Sequence, residues 1–409
     1  MSKRSFKRKL WRAIKWTLFF AAVIFIAFLG WSIHTNRVAY FAAHKPVPVD
    51  LIYDAEIPGM PDVRVLINPE NFDFSDTLTY KSQKKLGKPF NKDKAVVDLL
   101  VLSGGGPDGA FGAGFLSGLT DSGQRPAYDI VTGVSTGALI APAAFIGSSY
   151  DSVLKNIYTK VTDKDILGSD IKDLLLGKGP SFFNTKPLRQ VLKKAISEEL
   201  VNAIADEYAK GRQLYVLTTN IEAKRVVLWD MGAIASYRTP RSLELFRNVV
   251  IASSSIPAAF PPTRFKVMAG GKIYEELHVD GSVGTQMFGC LLLTEQIKGT
   301  DSKGRIFIVR NGKLWDDPGS VHPSMGEVAA ASLSMILTNQ GYNDLLRMYT
   351  LSKSSGVDFN CAFVPQNFHA TASGMFDPKY MTKIFKLGYD KAMSKEPWQK
   401  APIDDNKMK

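Results

Sequence analysis

Hydrophobic and polar positions follow three different patterns along this chain. Trp16 to Asn36 holds no charged residue, and its core, Leu18 to Leu29, is apolar throughout. Residues 37–94 sustain no helical period and are broken by Pro46, Pro48, Pro58, Pro61 and Pro69. From Ala95 onward, short apolar runs alternate with longer segments of helical spacing. Val96 to Leu102, Tyr128 to Thr132, Gln213 to Thr219, Arg225 to Trp229, Ile273 to Val279 and Arg305 to Val309 read as strands. Gly109 to Leu119, Thr136 to Ile146, Lys186 to Ile196, Val201 to Ala209 and Leu243 to Ala252 read as helices. Met325 to Thr350 and Pro378 to Ala392 are further helices, separated by a strand-like Val357 to Val364. The run Val96 to Leu102 holds a single acid, Asp98, as a parallel strand covered on both faces does. Strands alternating with helices predict an α/β fold with a mainly parallel sheet between two helical layers.

This pattern divides the 409 residues into a basic segment 1–15, an apolar segment 16–36, a tether or brace 37–94, an α/β domain 95–315, and a mostly helical extension 316–409 that packs on the same domain. The net charge of +12 changes meaning once it is located. Lys3, Arg4, Lys7, Arg8, Lys9, Arg12 and Lys15 supply seven of the charges, which leaves an ordinary balance for the rest and no basis for a nucleic-acid partner. As a helix, 16–36 spans about 31 Å, close to the hydrocarbon thickness of a bilayer. Trp11, Trp16 and Trp31 stand where interfacial aromatics belong. The preceding cations predict a single-pass anchor with a cytoplasmic N-terminus and an exported domain, which in a Gram-negative cell faces the periplasm. The alternative is a signal peptide processed near Ala42-Ala43, giving a secreted protein. Cys290 and Cys361 are the only cysteines, too few for a disulfide framework or a zinc cluster. They read as core residues, with one bridge as the alternative.

Two glycine-framed turns carry the candidate chemistry. Gly104-Gly105-Gly106-Pro107-Asp108-Gly109 directly follows the first strand, and Gly133-Val134-Ser135-Thr136-Gly137 follows the second. The first presents a row of backbone N–H groups to an anion. The second sets a serine at a strand-to-helix bend, with small residues on either side to relieve crowding. Gly104, Gly106 and Gly109 also spell a dinucleotide fingerprint, but Asp129 stands near the start of the next strand rather than at its end, which argues against a nucleotide. A third element, His278-Val279-Asp280-Gly281-Ser282, ends a strand with a carboxylate. Asp280 reads either as a base for Ser135 or as a turn-forming Asp-Gly.

These elements, in this order, resemble the patatin-like phospholipases, and so does the stretch Ala252 to Pro262 that lies between serine and aspartate. The resemblance spans roughly 96–285. It implies a three-layer α/β sandwich and a Ser-Asp pair without histidine, Ser135 as nucleophile and Asp280 as base. It also implies that the N–H groups of Gly104, Gly105 and Gly106 form an oxyanion hole, with Gly109, Gly133, Gly137 and Gly281 supporting the turns. The implied substrate is a lipid ester, hydrolysed without metal or cofactor. The chain departs from the family at Asp108, where a Lys or Arg is usual, and at Ser282, where Gly or Ala is usual.

Other readings compete at single residues. His322 and His369 lie in loops and complete a Ser-Asp-His order on paper, while His278 shares a strand face with Asp280. Ser253, Ser254 and Ser255 precede Ile-Pro at a helix end, where serines shape a turn or line a site. Phe182, Phe183 and Leu174 to Leu176 are candidates for an acyl-chain pocket, weighed against plain core. An acyltransferase shares every catalytic residue, and a non-catalytic lipid- or partner-binding protein shares the fold. The oligomeric state has no signal in the sequence.

Overall fold

Among the described residues, nine strands make the central sheet: β1 (Arg64–Leu66), β2 (Val96–Leu102), β3 (Ile130–Val134), β4 (Gln213–Asn220), β5 (Arg225–Asp230), β6 (Thr263–Ala269), β7 (Lys272–Asp280), β8 (Lys303–Arg310) and β9 (Asp358–Phe363). The computed structural model describes residues 44–67, 94–169 and 181–402, with isolated helical positions between residues 11 and 35. The order β1-β5-β4-β3-β2-β8-β9 forms the main path, and β7 adds to β4 and carries β6 beyond it. The strands β4, β3, β2, β8 and β9 run parallel.

The sheet is mostly parallel, as expected, and mixed because one side of it is antiparallel. The pairs β1/β5, β4/β5, β4/β7 and β6/β7 are antiparallel. The cause is connection length. Only residues 221–224 separate β4 from β5, and Gly270-Gly271, both at positive φ, turn β6 into β7. A parallel return needs a crossover of a dozen or more residues. Strand β6 was absent from the sequence reading, although Thr263, Phe265, Val267 and Ala269 are buried in strict alternation with exposed neighbours.

Helices cover both faces. Along β2, Val97, Leu99 and Val101 join one apolar cluster and Leu100 and Leu102 the other. One face holds α1 (Gly109–Asp121), α2 (Thr136–Ile146), α3 (Asp151–Lys160), α4 (Lys186–Ala195), α5 (Glu198–Ala209), α6 (Met231–Ser236) and α7 (Pro240–Ser253). The other holds α8 (Cys290–Ile297) and the C-terminal half of α9 (Met325–Ser354). The last described helix, α10 (Pro378–Ala392), returns to the first face and lies along α1. A Cβ at Gly114 or Gly118 of α1 would collide with the backbone of Phe385 or Tyr389, so those glycines set the close approach of the two helices.

Within the described residues, 44–67 brace the sheet edge. Ala55, Ile57, Met60 and Val63 are buried, β1 pairs with β5, and the Arg64 guanidinium meets the Glu276 carboxylate inside the protein. Asp98, the acid inside β2, accepts two hydrogen bonds from Arg305 at 2.6 and 2.7 Å. Asp129 accepts from the Asp98 amide at 2.8 Å and pairs with Lys94, so it ties two strand starts together, far from the glycine loop. Cys290 and Cys361 are buried free thiols, not a bridge. Among the described residues no helix is long and apolar enough to cross a membrane, and nine of the residues 16–36 lie outside them.

Candidate active site

The site exists because two strands end head to head on a third. β3 runs parallel to β4 and stops where Val134 faces Leu217. β7 runs antiparallel to β4 and stops where Asp280 faces Thr218, the next residue along. The residues at these two ends, Ser135 and Asp280, therefore meet over β4. Ser135 Oγ donates to Asp280 Oδ2 at 2.6 Å, and both residues are buried.

Ser135 has φ 53° and ψ −122°, a conformation that costs a side-chain-bearing residue about 1–3 kcal/mol. It is the N-cap of α2, so the positive end of that helix faces its hydroxyl. Gly133 and Gly137 close the bend from beneath. A Cβ on Gly133 would come within 2.5 Å of the Gly137 carbonyl oxygen, and one on Gly137 would strike that of Leu102.

The three serines read as turn residues hold the bend in place. Ser253 Oγ accepts from the Ser135 amide at 3.0 Å and donates to the Leu217 carbonyl at 2.6 Å. Ser254 Oγ donates to the Ser135 carbonyl at 3.2 Å, and the Ser255 carbonyl accepts from the Asp280 amide at 2.9 Å. One helix end thus fixes both partners.

Asp280 Oδ1 accepts from the Ser282 amide at 2.8 Å, which orients the carboxyl toward Ser135. Burial pushes its pKa up to about 6, against the pull of the Ser135 and Ser282 hydrogen bonds. Gly281 packs beneath it against the Leu217 carbonyl, with no room for a Cβ.

The glycine loop leaves β2 beside Ser135. A Cβ on Gly104 would lie 3.2 Å from the Ser135 Cβ. Gly105 sits at φ 149° with its Cα against the Asn311 carbonyl, a position closed to any side chain. Asn311, at the end of β8, was missed by sequence reasoning, its one signal being its place just after a strand. Its amide donates to Ser103 Oγ and its side chain donates to the Ser103 carbonyl, both at 2.8 Å, while its Oδ1 accepts from the Gly112 amide at 3.1 Å. Among the described residues, no protein acceptor takes the N–H groups of Gly104, Gly105 and Gly106. Gly109 opens α1, packed on Thr136 and Tyr158.

Gly104, Gly105, Gly106, Ser135 and Asp280 share a cleft of about 290 Å³. Its apolar wall is built by Ile256, Val283, Leu333 and Leu337, the last two from α9. Of the acyl-pocket candidates, the described Phe182 and Phe183 do not border it. Phe182 is exposed, Phe183 packs on Phe260, and Leu174 to Leu176 lie outside the described residues. Apolarity in sequence does not say which elements reach Ser135; the path of the distant chain decides that.

Asp108 also borders the cleft. Tyr380 of α10 donates to it at 2.6 Å, and burial pushes its carboxyl up to about 6. No histidine borders the cleft among the described residues. His278 is buried with Nδ1 at 2.8 Å from Thr218 Oγ1 and Nε2 at 3.0 Å from Glu276 Oε2, so both nitrogens are engaged away from Asp280. His322 and His369 are exposed in loops.

A serine hydroxyl on a buried carboxylate, next to unpaired amides, can carry acyl transfer. Residues 100–287 match the family model described as Patatin-like phospholipase. No curated protein matches the chain. Similar solved structures include VipD from Legionella pneumophila, with 13% identity, 73% of this chain and 66% of that one covered, and a TM-score of 0.35. Human GIVD cytosolic phospholipase A2, solved with methyl gamma-linolenyl fluorophosphonate, gives 12%, 71%, 47% and 0.30. Full-length ExoU of Pseudomonas aeruginosa, in complex with SpcU, gives 13%, 73%, 52% and 0.26. The chain spans less than two thirds of the length of each of these structures. The patatin-like phospholipase match thus runs from within β2 to Met287, past Asp280, and leaves the brace, α9 and α10 outside it.

Proposed function

We propose that this chain is a serine acyl-ester hydrolase acting on lipid esters of the phospholipid or lysophospholipid class. The observation that carries the reading is the 2.6 Å hydrogen bond from Ser135, held at positive φ, to a carboxyl with a raised pKa. In this mechanism Asp280 takes the hydroxyl proton as Ser135 Oγ attacks the ester carbonyl carbon. The N–H groups of Gly104, Gly105 and Gly106 receive the oxyanion. Collapse of the tetrahedral species breaks the bond to the alcohol, which leaves with the proton from Asp280. Asp280 then takes a proton from water, whose oxygen attacks the acyl-serine. Ser135 departs with that proton, and a fatty acid is released.

Residues 16–36, in the same reading, hold the chain in a bilayer with the catalytic domain exported, which raises the effective concentration of lipid at the cleft. Protease added to spheroplasts, whose outer barrier is removed, then cuts the catalytic domain while residues 1–15 stay protected.

An active-site fluorophosphonate labels the wild type at Ser135 and fails to label Ser135→Ala. Mass spectrometry of a lipid panel finds free fatty acid with the wild type only. A folded wild type that takes no adduct and releases no fatty acid would falsify the hydrolase. His322→Ala and His369→Ala each keep turnover within about threefold, whereas a loss of about 10⁴-fold in either moves the base to that histidine.

A further inference from the structure

The helix α9 is 30 residues long, yet its buried residues, Gly341, Asp344, Leu345, Met348 and Ser352, all lie in its C-terminal half. None of residues 325–340 is buried. That bare half is not polar, as a solvated helix end is. Met325 is 90% exposed, Ile336 60%, Met335 59% and Val328 48%, with Val321 at 50% just before the helix. Glu327 is the only charged residue from Met325 to Asn343, and no Lys or Arg occurs between Lys313 and Arg347. A run of about 13 residues, about 20 Å of helix, therefore presents a mainly apolar surface, interrupted by Ser332 and by Ser334 and Thr338, which donate to Asp316 at 3.1 and 2.8 Å.

Its root is fixed. The buried Arg310 side chain donates to the Lys313 carbonyl at 2.8 Å and to the Thr338 carbonyl at 3.1 Å, while its guanidinium lies against Gly341. The exposed half is also continuous with the cleft. Leu333 and Leu337 line the cleft, while Met335 and Ile336 on the same turns do not. Across the cleft Val283, 41% exposed, completes an apolar rim.

We propose that the N-terminal half of α9 is a docking surface for an uncharged or zwitterionic lipid bilayer, entering its interface so that an acyl chain passes along Leu333 and Leu337 to Ser135. The choice of lipid follows from charge. A surface that recognises anionic head groups carries Lys or Arg, and this one has neither. The proposal rests on the lipid-hydrolase reading for its purpose, but the surface is testable without catalysis.

The full chain, with Ile336→Cys carrying an environment-sensitive fluorophore, is reconstituted into phosphatidylcholine vesicles. Both native cysteines are buried. The same label at the exposed Lys386→Cys on α10 is the control. The expected result is a blue shift at position 336 and quenching by acyl-chain quenchers. Neither effect appears at 386, and neither depends on salt or added anionic lipid. Both persist in the Ser135→Ala background, so failure of the hydrolase reading leaves this result standing. In the catalytic background, Ile336→Asp lowers the ratio of vesicle-lipid to soluble-ester turnover by about tenfold or more. No shift with vesicles, an equal shift at 386, or a shift that needs anionic lipid overturns the proposal. A shift without lipid that grows with protein concentration also overturns it and assigns the surface to a second copy of the chain.

Discussion

Asp280→Asn lowers kcat/KM for ester hydrolysis by about 10⁴-fold and, at pH 8, makes the protein more stable. Both effects have one cause. The proposed base works as a carboxylate, yet its surroundings favour the neutral acid, and burial pushes its pKa from 3.8 to about 6. Wild-type kcat/KM accordingly rises with pH through about 6 and levels off above it. Stability runs the other way. A carboxyl with a raised folded-state pKa contributes fully below the unfolded value of 3.8, and that contribution is lost as pH rises through about 6. A shift of roughly two units corresponds to about 3 kcal/mol at pH 8. Asparagine is neutral at every pH and avoids the loss, so the gain approaches that figure at pH 8 and fades toward pH 4. Urea unfolding at the two pH values and steady-state kinetics read the two halves. A variant that keeps turnover within tenfold of wild type sinks the role of Asp280.

Arg64→Ala costs about 3–5 kcal/mol of stability, the scale of leaving one member of a buried ion pair alone. Arg64 and Glu276 are both buried, and Arg64 also donates to the Ala55 carbonyl at 3.2 and 2.7 Å. Burial alone raises the Glu276 carboxyl, but Arg64 and His278 overcome it and hold the pKa at about 2. This contribution is present above the unfolded value of 4.5 and is lost as pH falls through about 2. Removing the guanidinium strands a carboxylate on β7 four residues before Asp280. Chemical denaturation at pH 7 measures the cost, and Arg64→Met with Glu276→Leu recovers most of it, because an apolar pair of similar volume needs no counter-charge. A single variant that loses less than about 1 kcal/mol refutes the pairing.

What the sequence disclosed was local. Val96–Leu102, Thr136–Ile146 and Pro378–Ala392 have the bounds read from periodicity alone, and the bend at Ser135 lies where small residues and a strand end required it. The two halves of the site were readable as strand ends but not as neighbours. Their meeting depends on β4 serving β3 with one half and β7 with the other, a pairing written in no short window. Ser253, Ser254 and Ser255 read as turn-forming or site-lining serines, since nothing nearby in sequence says that the first two meet Ser135, 118 residues away for Ser253, and that the third meets Asp280. The period-two signal of β6 was present and went unread. Phe182 and Phe183 were candidates for the apolar wall because their hydrophobicity is visible in sequence, as were Leu174 to Leu176, which lie outside the described residues. Among the described residues the wall comes from Ile256, Val283 and α9, whose approach depends on Arg310 and Gly341.

The glycine seam between α1 and α10 has a consequence in time. α1 begins where the glycine loop ends, and α10 lies so close to it that Gly114 and Gly118 tolerate nothing larger. Tyr380 of α10 also reaches Asp108 within the loop. During synthesis the segment holding Ser135 leaves the ribosome some 240 residues before α10 does. The nascent chain thus carries Ser135 early while the support of the glycine loop arrives late. On the proposed mechanism, the oxyanion hole is then braced only once α10 docks on α1.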